Sequence, residues 1–225
     1  MEQYKVDFIQ FLVKSGALKF GEFTLKSGRV CPYFLNVGQF YTGELISKLC
    51  GYYAEALKSE ELAVDFDVIF GPAYKGIPLC VGTSMRFGEL AGRDVAYTYN
   101  RKEAKDHGEG GNFVGAPLGA DSKVVIVDDV MTAGTAVREA LEMLKSLQDA
   151  PAVKGVLIAV DRKEKGSSGV SAVDEIYEAY GVRVYSIVNL DEIIEVLYKK
   201  SLDGVEYIGE EEMEKITKYR AEYGV

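Results

Sequence analysis

Along the first stretch of the chain Phe8, Ile9, Leu12 and Val13 recur at helical spacing before Gly16, which predicts an amphipathic packing helix over residues 4–15. The period then changes. In FTLKSGRVCPYFLN (23–36) two alternating or apolar runs flank Lys26-Ser27-Gly28-Arg29, a hairpin pattern. Beyond it, helix-like stretches around 43–59, 76–91, 135–148, 171–180 and 189–200 interleave with the strand-like runs FDVIF, VAYTY, KVVIV, KGVLIAV and VRVYSIV. Such alternation predicts an α/β fold: a central, mostly parallel sheet flanked by helices on both faces, with right-handed crossovers. The acidic segment GEEEMEKITKYRAEYG reads as a final surface helix. No repeat, linker or low-complexity segment divides the chain, so residues 1–225 are expected to form a single domain.

Composition narrows the chemistry. Lys and Arg total 26 against 35 Asp and Glu, a net charge of −9 that argues against a general nucleic-acid or anionic-membrane surface. Any anion site must be local. Cys31, Cys50 and Cys80 are odd in number and widely spaced, and the chain has one histidine, His107. Neither a disulfide framework nor a zinc site is expected, and a reducing cytoplasm is the easier home. The amino terminus carries charges through its apolar stretch, unlike a signal peptide, and no run approaches transmembrane length.

Three stretches fall where strands end, the edge at which open parallel sheets bind ligands. In VVIVDDVMTAGTA (124–136) a buried strand runs into Asp128-Asp129, steps out through Val130 and Met131, and turns through Thr132, Ala133, Gly134 and Thr135 into a helix beginning near Ala136. A helix start offers unpaired N–H donors and partial positive charge, a cradle for phosphate. Two acids beside it would repel that phosphate unless they address another part of the ligand, and ribose hydroxyls are their natural partner. The blander reading is that Asp129 and Thr132 merely cap the helix. VIFGPAYKGIPL (68–79) exposes Tyr74 and Lys75 at a glycine-flanked turn. RKEAKDHGEGGNFVG (101–115) combines Arg101, Lys102, Lys105 and His107 with hinge glycines and no apolar period. It reads as a mobile loop, either a solvated charge run or a cationic lid over an anion.

These residues resemble a family. VVIVDDVMTAGTA looks like the phosphoribosyl diphosphate motif of the type I phosphoribosyltransferases. LKFGEFTLKSGRVCPYFLN, FGPAYKGIPL, NRKEAKDHGEGGNFVG, DRKEKG and the terminal YRAEYGV resemble the orotate phosphoribosyltransferases in particular, over essentially the whole chain.

The resemblance implies the type I fold with a small N-terminal hood formed by roughly residues 1–40, containing the hairpin, and a mobile catalytic loop at 101–114 shared across subunits of a homodimer. It implies a Mg²⁺-dependent pentosyl transfer from phosphoribosyl diphosphate to orotate, giving orotidine 5′-phosphate and diphosphate in UMP synthesis. Lys105, His107, Asp128 and Asp129 would be catalytic. Lys26, Tyr74, Lys75, Arg101 and Lys102, with Val130 to Ala136, would join them in holding phosphoribosyl diphosphate. Lys26, the Phe34-Leu35 backbone, Thr132 and Arg162 would hold orotate, Leu35 standing where many relatives have a second phenylalanine. The metal would be bound mainly through substrate and water. The alternatives are a phosphoribosyl-diphosphate-binding regulator, which would need a DNA-binding segment that the roughly twenty residues before the hairpin hardly supply, and a purine phosphoribosyltransferase.

Overall fold

The structure, a computed structural model, describes every residue except 26–27, 60–64, 106–110, 132–133 and 167–168, and not the side chains of residues 104–105. Helix α1 (Gln3–Lys14) buries Phe8, Ile9, Leu12 and Val13, the face its spacing predicts. The hairpin comes next as β1 (Leu18–Thr24) and β2 (Val30–Leu35), paired antiparallel with Leu18 opposite Leu35. It starts earlier than residue 23, because cross-strand pairing carries the loosely alternating LKFG that local pattern does not. Helix α2 (Gly43–Lys58) starts at Thr42, whose hydroxyl accepts from Leu45 N–H at 3.3 Å.

From there strands and helices alternate as β3 (Val68–Gly71), α3 (Gly76–Ala91), β4 (Ala96–Lys105), β5 (Gly111–Gly115), β6 (Lys123–Val130), α4 (Thr135–Lys145), β7 (Ala152–Asp161), α5 (Ala172–Tyr180), β8 (Val184–Asn189) and α6 (Leu190–Leu197). A short hairpin, β9 (Ser201–Leu202) with β10 (Val205–Glu206), leads to α7 (Glu210–Tyr223). The central sheet has the order β5-β4-β3-β6-β7-β8, parallel except for β5. Along β6, Val125 and Val127 enter the core shared with α1, α2, α3 and α6, while Val124 and Ile126 enter the opposite core under α4 and α5. Burial on both faces is why this run is apolar without alternation. Each such side chain contributes about 1.5–3 kcal/mol, so Ile126→Asp would break both the strand and the face beneath α4.

Two expectations need correction. The basic segment read as loop from residue 101 is strand: β4 runs through Lys105, and β5 returns from Gly111, with Asn100 opposite Phe113 and Lys105 opposite Gly111. This antiparallel ribbon lies at the sheet's edge, so its cross-strand hydrogen bonds form without the apolar period that marks a buried strand. His107 lies outside the described residues. Helix α7, expected at the surface, also buries Ile216 and Tyr219. Beyond it Glu164 bridges to Gly224, and Lys165 N–H donates to Tyr223 C=O at 2.8 Å. Among the described residues no helix is long and apolar enough to cross a membrane.

Candidate active site

Strands β3 and β6 are neighbours, yet the chain leaves β3 through α3 on one face and leaves β6 through α4 on the other. Divergent crossovers open a crevice beyond the strand ends. There the structure has a cleft of about 270 Å³ whose walls are the turn after β3, with Tyr74 and Lys75, and the turn after β6, with Asp128, Asp129, Val130, Met131, Gly134, Thr135 and Ala136.

Glycine makes each wall possible. A Cβ on Gly71 would lie 2.0 Å from the Gly76 carbonyl oxygen, so the first turn can fold back on itself only without that atom. Gly134 adopts φ +70° at the start of α4, a left-handed conformation costly for other residues. Pro72 diverts the chain from the sheet, and the next amide, Ala73 N–H, donates to Asn100 Oδ1 on β4 at 2.8 Å. The Ala73-Tyr74 peptide is cis.

Both acids are nearly buried at the end of β6. Asp128 Oδ1 accepts from Asp129 N–H at 2.9 Å, and Asp129 Oδ1 accepts from Val130 N–H at 2.7 Å. The Tyr53 hydroxyl, fully buried on α2, donates to the Asp128 carbonyl at 2.7 Å and so fixes the backbone that carries the pair. Burial, then the neighbouring Asp129 charge, pushes the Asp128 carboxyl up to about 6. Lys75 Nζ reaches Asp129 Oδ2 at 2.6 Å across the cleft. The site thus offers carboxylate acceptors, an ammonium and two helix starts within one crevice, a combination suited to a polyhydroxylated, phosphorylated ligand.

Other expected residues lie elsewhere. Arg101 and Lys102 line a separate groove between β4 and α4, with Lys102 3.7 Å from Glu139. Lys26, Thr132, Ala133 and His107, and the Lys105 side chain, fall outside what is described. Phe34 is exposed on β2 and stacks on Phe23, with ring centroids 5.4 Å apart. Arg162, just beyond β7, is in a part-buried salt bridge with Glu164. Its guanidinium donates to Glu164 Oε1 at 2.7 Å, and the pair's side chains are only 14% and 15% exposed. Tyr33 O–H donates to the same Glu164 oxygen at 2.5 Å, and the Arg162 guanidinium sits 5.2 Å from the Tyr33 ring centroid. Burial and the Glu164 charge hold the Tyr33 phenol far above its ordinary range, so it stays a neutral donor.

Sequence reasoning missed Asn100, Tyr53, Tyr33 and Glu164. For Asn100 the available signal was an amide closing the apolar run VAYTY just before a basic segment. Tyr53 gave none, since a tyrosine on an amphipathic helix reads as core. The three cysteines are buried and free, with burial pushing the Cys50 and Cys80 thiols up to about 11 and 12, in keeping with a packing role.

The phosphoribosyl transferase domain family matches residues 36–176. The chain is 46% identical to the orotate phosphoribosyltransferase of Clostridium acetobutylicum over 225 residues, all of both proteins. It is 50% identical to that of Cellvibrio japonicus, over 100% of this chain and 99% of that one. The crystal structure of the Francisella tularensis orotate phosphoribosyltransferase superposes with a TM-score of 0.83 at 40% identity, covering 97% of this chain and all of that one. With its acid pair at the end of β6 and its match to full-length relatives, the chain belongs to the phosphoribosyl transferase family, of type I fold, and groups there with the orotate phosphoribosyltransferases.

Proposed function

We propose that the protein is a pentosyltransferase that moves the 5-phosphoribosyl group of phosphoribosyl diphosphate onto orotate, releasing orotidine 5′-phosphate and diphosphate, in pyrimidine biosynthesis. The observation that carries this reading is the cleft in which Asp128-Asp129 and the start of α4 face Lys75. The acids accept hydrogen bonds from the ribose hydroxyls, while Gly134, Thr135 and Ala136 bring helix amides to the 5-phosphate. Lys75 exchanges Asp129 for the diphosphate, where charge grows as the bond to the anomeric carbon breaks. Neither a sensor nor a purine enzyme is favoured, since relatives matching the full chain are named orotate phosphoribosyltransferases.

The donor set fits a Mg²⁺ ion carried mainly by substrate oxygens and water. With Lys75 moved to the diphosphate, Asp129 Oδ2 would be left to accept from a water ligand of that ion, while its Oδ1 stays on Val130 N–H. When bound with the substrate, Mg²⁺ neutralises negative charge on the diphosphate. Lys26, the Phe34-Leu35 backbone, Thr132 and Arg162 make up the proposed orotate site, Arg162 offering a guanidinium that matches the carboxylate uracil lacks. Lys105 and His107 belong to a segment, 101–114, that serves the cleft of a neighbouring subunit in a homodimer. The position of Arg101 and Lys102 outside their own cleft supports that sharing. The hood comprises roughly residues 1–40 of a single domain, and the enzyme works in the cytoplasm without nucleic acid.

A spectrophotometric assay of orotate consumption tests the reading. Loss of orotate absorbance only when phosphoribosyl diphosphate and Mg²⁺ are both present is expected; no consumption, or consumption of a purine base instead, overturns it.

A further inference from the structure

We infer that Asn100 is a positioning residue for the transfer reaction, holding the turn that presents Lys75 to the cleft. This inference rests on the reading that phosphoribosyl diphosphate occupies that cleft. Strands β3 and β4 run parallel as far as Gly71 opposite Tyr99, and there the sheet loses β3. Pro72 has no N–H, and Ala73, the first residue past it with one, is buried. The β3–β4 ladder goes no further than Gly71 opposite Tyr99, so the amide of Ala73 faces β4 at Asn100 with no ladder pairing of its own. The Asn100 side chain fills the gap, accepting from Ala73 N–H at 2.8 Å. Its amide nitrogen donates to the Arg101 carbonyl at 3.3 Å, which selects the rotamer with oxygen toward Ala73.

A buried amide needs an acceptor for stability alone. The consequence for the reaction comes from the three residues after Ala73. Tyr74 stands exposed at the tip of the turn, Gly76 N–H closes it onto the Pro72 carbonyl at 2.9 Å, and Lys75 projects its ammonium to Asp129. Gly71 and Gly76 pack backbone against backbone, so the turn has little room to shift except by swinging as a unit about its two ends. Asn100 is the side-chain tie that stops that swing on the β4 side. Releasing it leaves the strand end and α3 in place but displaces Lys75, and a displacement of about 1 Å is enough to cost a reaction that depends on charge placement as much as 100-fold.

The test uses steady-state kinetics of the full chain, with phosphoribosyl diphosphate varied in the presence of Mg²⁺, for wild type, Asn100→Ala, Lys75→Ala and the double variant. Asn100→Ala is expected to lower kcat/KM for phosphoribosyl diphosphate about 10-fold or more, while KM for orotate stays within about twofold. In the Lys75→Ala background the same change is expected to cost nothing further, because the group it positions is gone. An equal loss in both backgrounds overturns the inference, as does a KM for orotate that rises in step with that for phosphoribosyl diphosphate. Should Asn100→Ala fail to fold, Asn100→Ser keeps a polar side chain in the strand, too short to span to Ala73, and is read the same way. A wild-type protein inert with phosphoribosyl diphosphate, or Lys75→Ala with wild-type kinetics, instead removes the reading of the cleft, and this inference with it.

Discussion

Lys75 Nζ and Asp129 Oδ2 lie 2.6 Å apart, so a cation on the turn after β3 closes on an acid on the turn after β6 across the cleft between them. The Lys75 side chain is 67% exposed and that of Asp129 11%. A half-solvated pair of this kind contributes at most about 1 kcal/mol to stability, whereas a donor aimed at developing charge is typically worth about 3 kcal/mol in a transition state. Lys75→Ala should therefore leave the melting temperature near that of wild type and lower kcat/KM for phosphoribosyl diphosphate by about 100-fold. Thermal melts and initial-rate kinetics read the two effects separately. Unchanged kinetics would take Lys75 out of the site.

Asp128 sets folding against ligand binding. Its carboxyl, ordinarily near 3.8, is raised to about 6 by burial and by Asp129. The folded state thus holds this proton more tightly than the unfolded chain does, and stability declines as pH rises from about 4 through about 6, then levels off. Between pH 5 and pH 8 the expected loss from this one group is about 1 kcal/mol. Asp128→Asn keeps the oxygen that accepts from Asp129 N–H and abolishes the titration. Urea unfolding should find the variant gaining on wild type between pH 5 and pH 8, while turnover at pH 8 collapses because a neutral amide accepts ribose hydroxyls less well. A variant whose stability tracks wild type at both pH values would show that Asp128 is ionised and well solvated throughout.

The same residues mark how far local sequence pattern reaches. The acid pair was legible because KVVIV is buried on both faces: an unbroken apolar run ending in two acids signals a strand meeting a crevice. The turn at Lys75 was legible from its flanking glycines. The β4–β5 ribbon was not, since an edge ribbon needs no apolar alternation and its charges and glycines read as loop. The ties from Asn100 to Ala73 and from Tyr53 to Asp128 span 27 and 75 positions in the chain, and no local period encodes a partner at that distance.

Arg162 and Glu164 form a part-buried cluster with Tyr33, so one substitution there carries two separable consequences. Arg162→Ala removes the cation and leaves a part-buried carboxylate without its partner, a loss of about 1–3 kcal/mol. Adding Glu164→Gln removes the stranded charge yet keeps an acceptor for the Tyr33 hydroxyl, and should recover much of that stability. Orotate binding, measured by calorimetry, should be lost in the single variant and stay lost in the double, because neither restores a guanidinium for the base carboxylate. Orotate bound normally by either protein would exclude Arg162 from the base site.

The turn after β3 is the most sterically constrained part of the cleft, and a single methyl group tests it. In Gly71→Ala the added Cβ would lie 2.0 Å from the Gly76 carbonyl oxygen, 2.5 Å from its carbon and 2.8 Å from Cys80 Sγ. Two of these atoms are backbone and cannot rotate away, so the first turn of α3 must move as a body. Overpacking of this kind typically costs about 1–3 kcal/mol, and immovable backbone places Gly71→Ala at or above the upper end. Gly43→Ala is the matched control: it adds the same atom at the start of α2, where nothing lies within 4 Å, and helix propensity favours it by up to about 1 kcal/mol. Denaturant unfolding should separate the two variants by several kcal/mol in opposite directions. Activity should fall in Gly71→Ala even at temperatures where it remains folded, because the displaced turn carries Lys75. Wild-type stability and turnover in Gly71→Ala would mean that the turn is pliable and that its glycines do not set the geometry of the cleft.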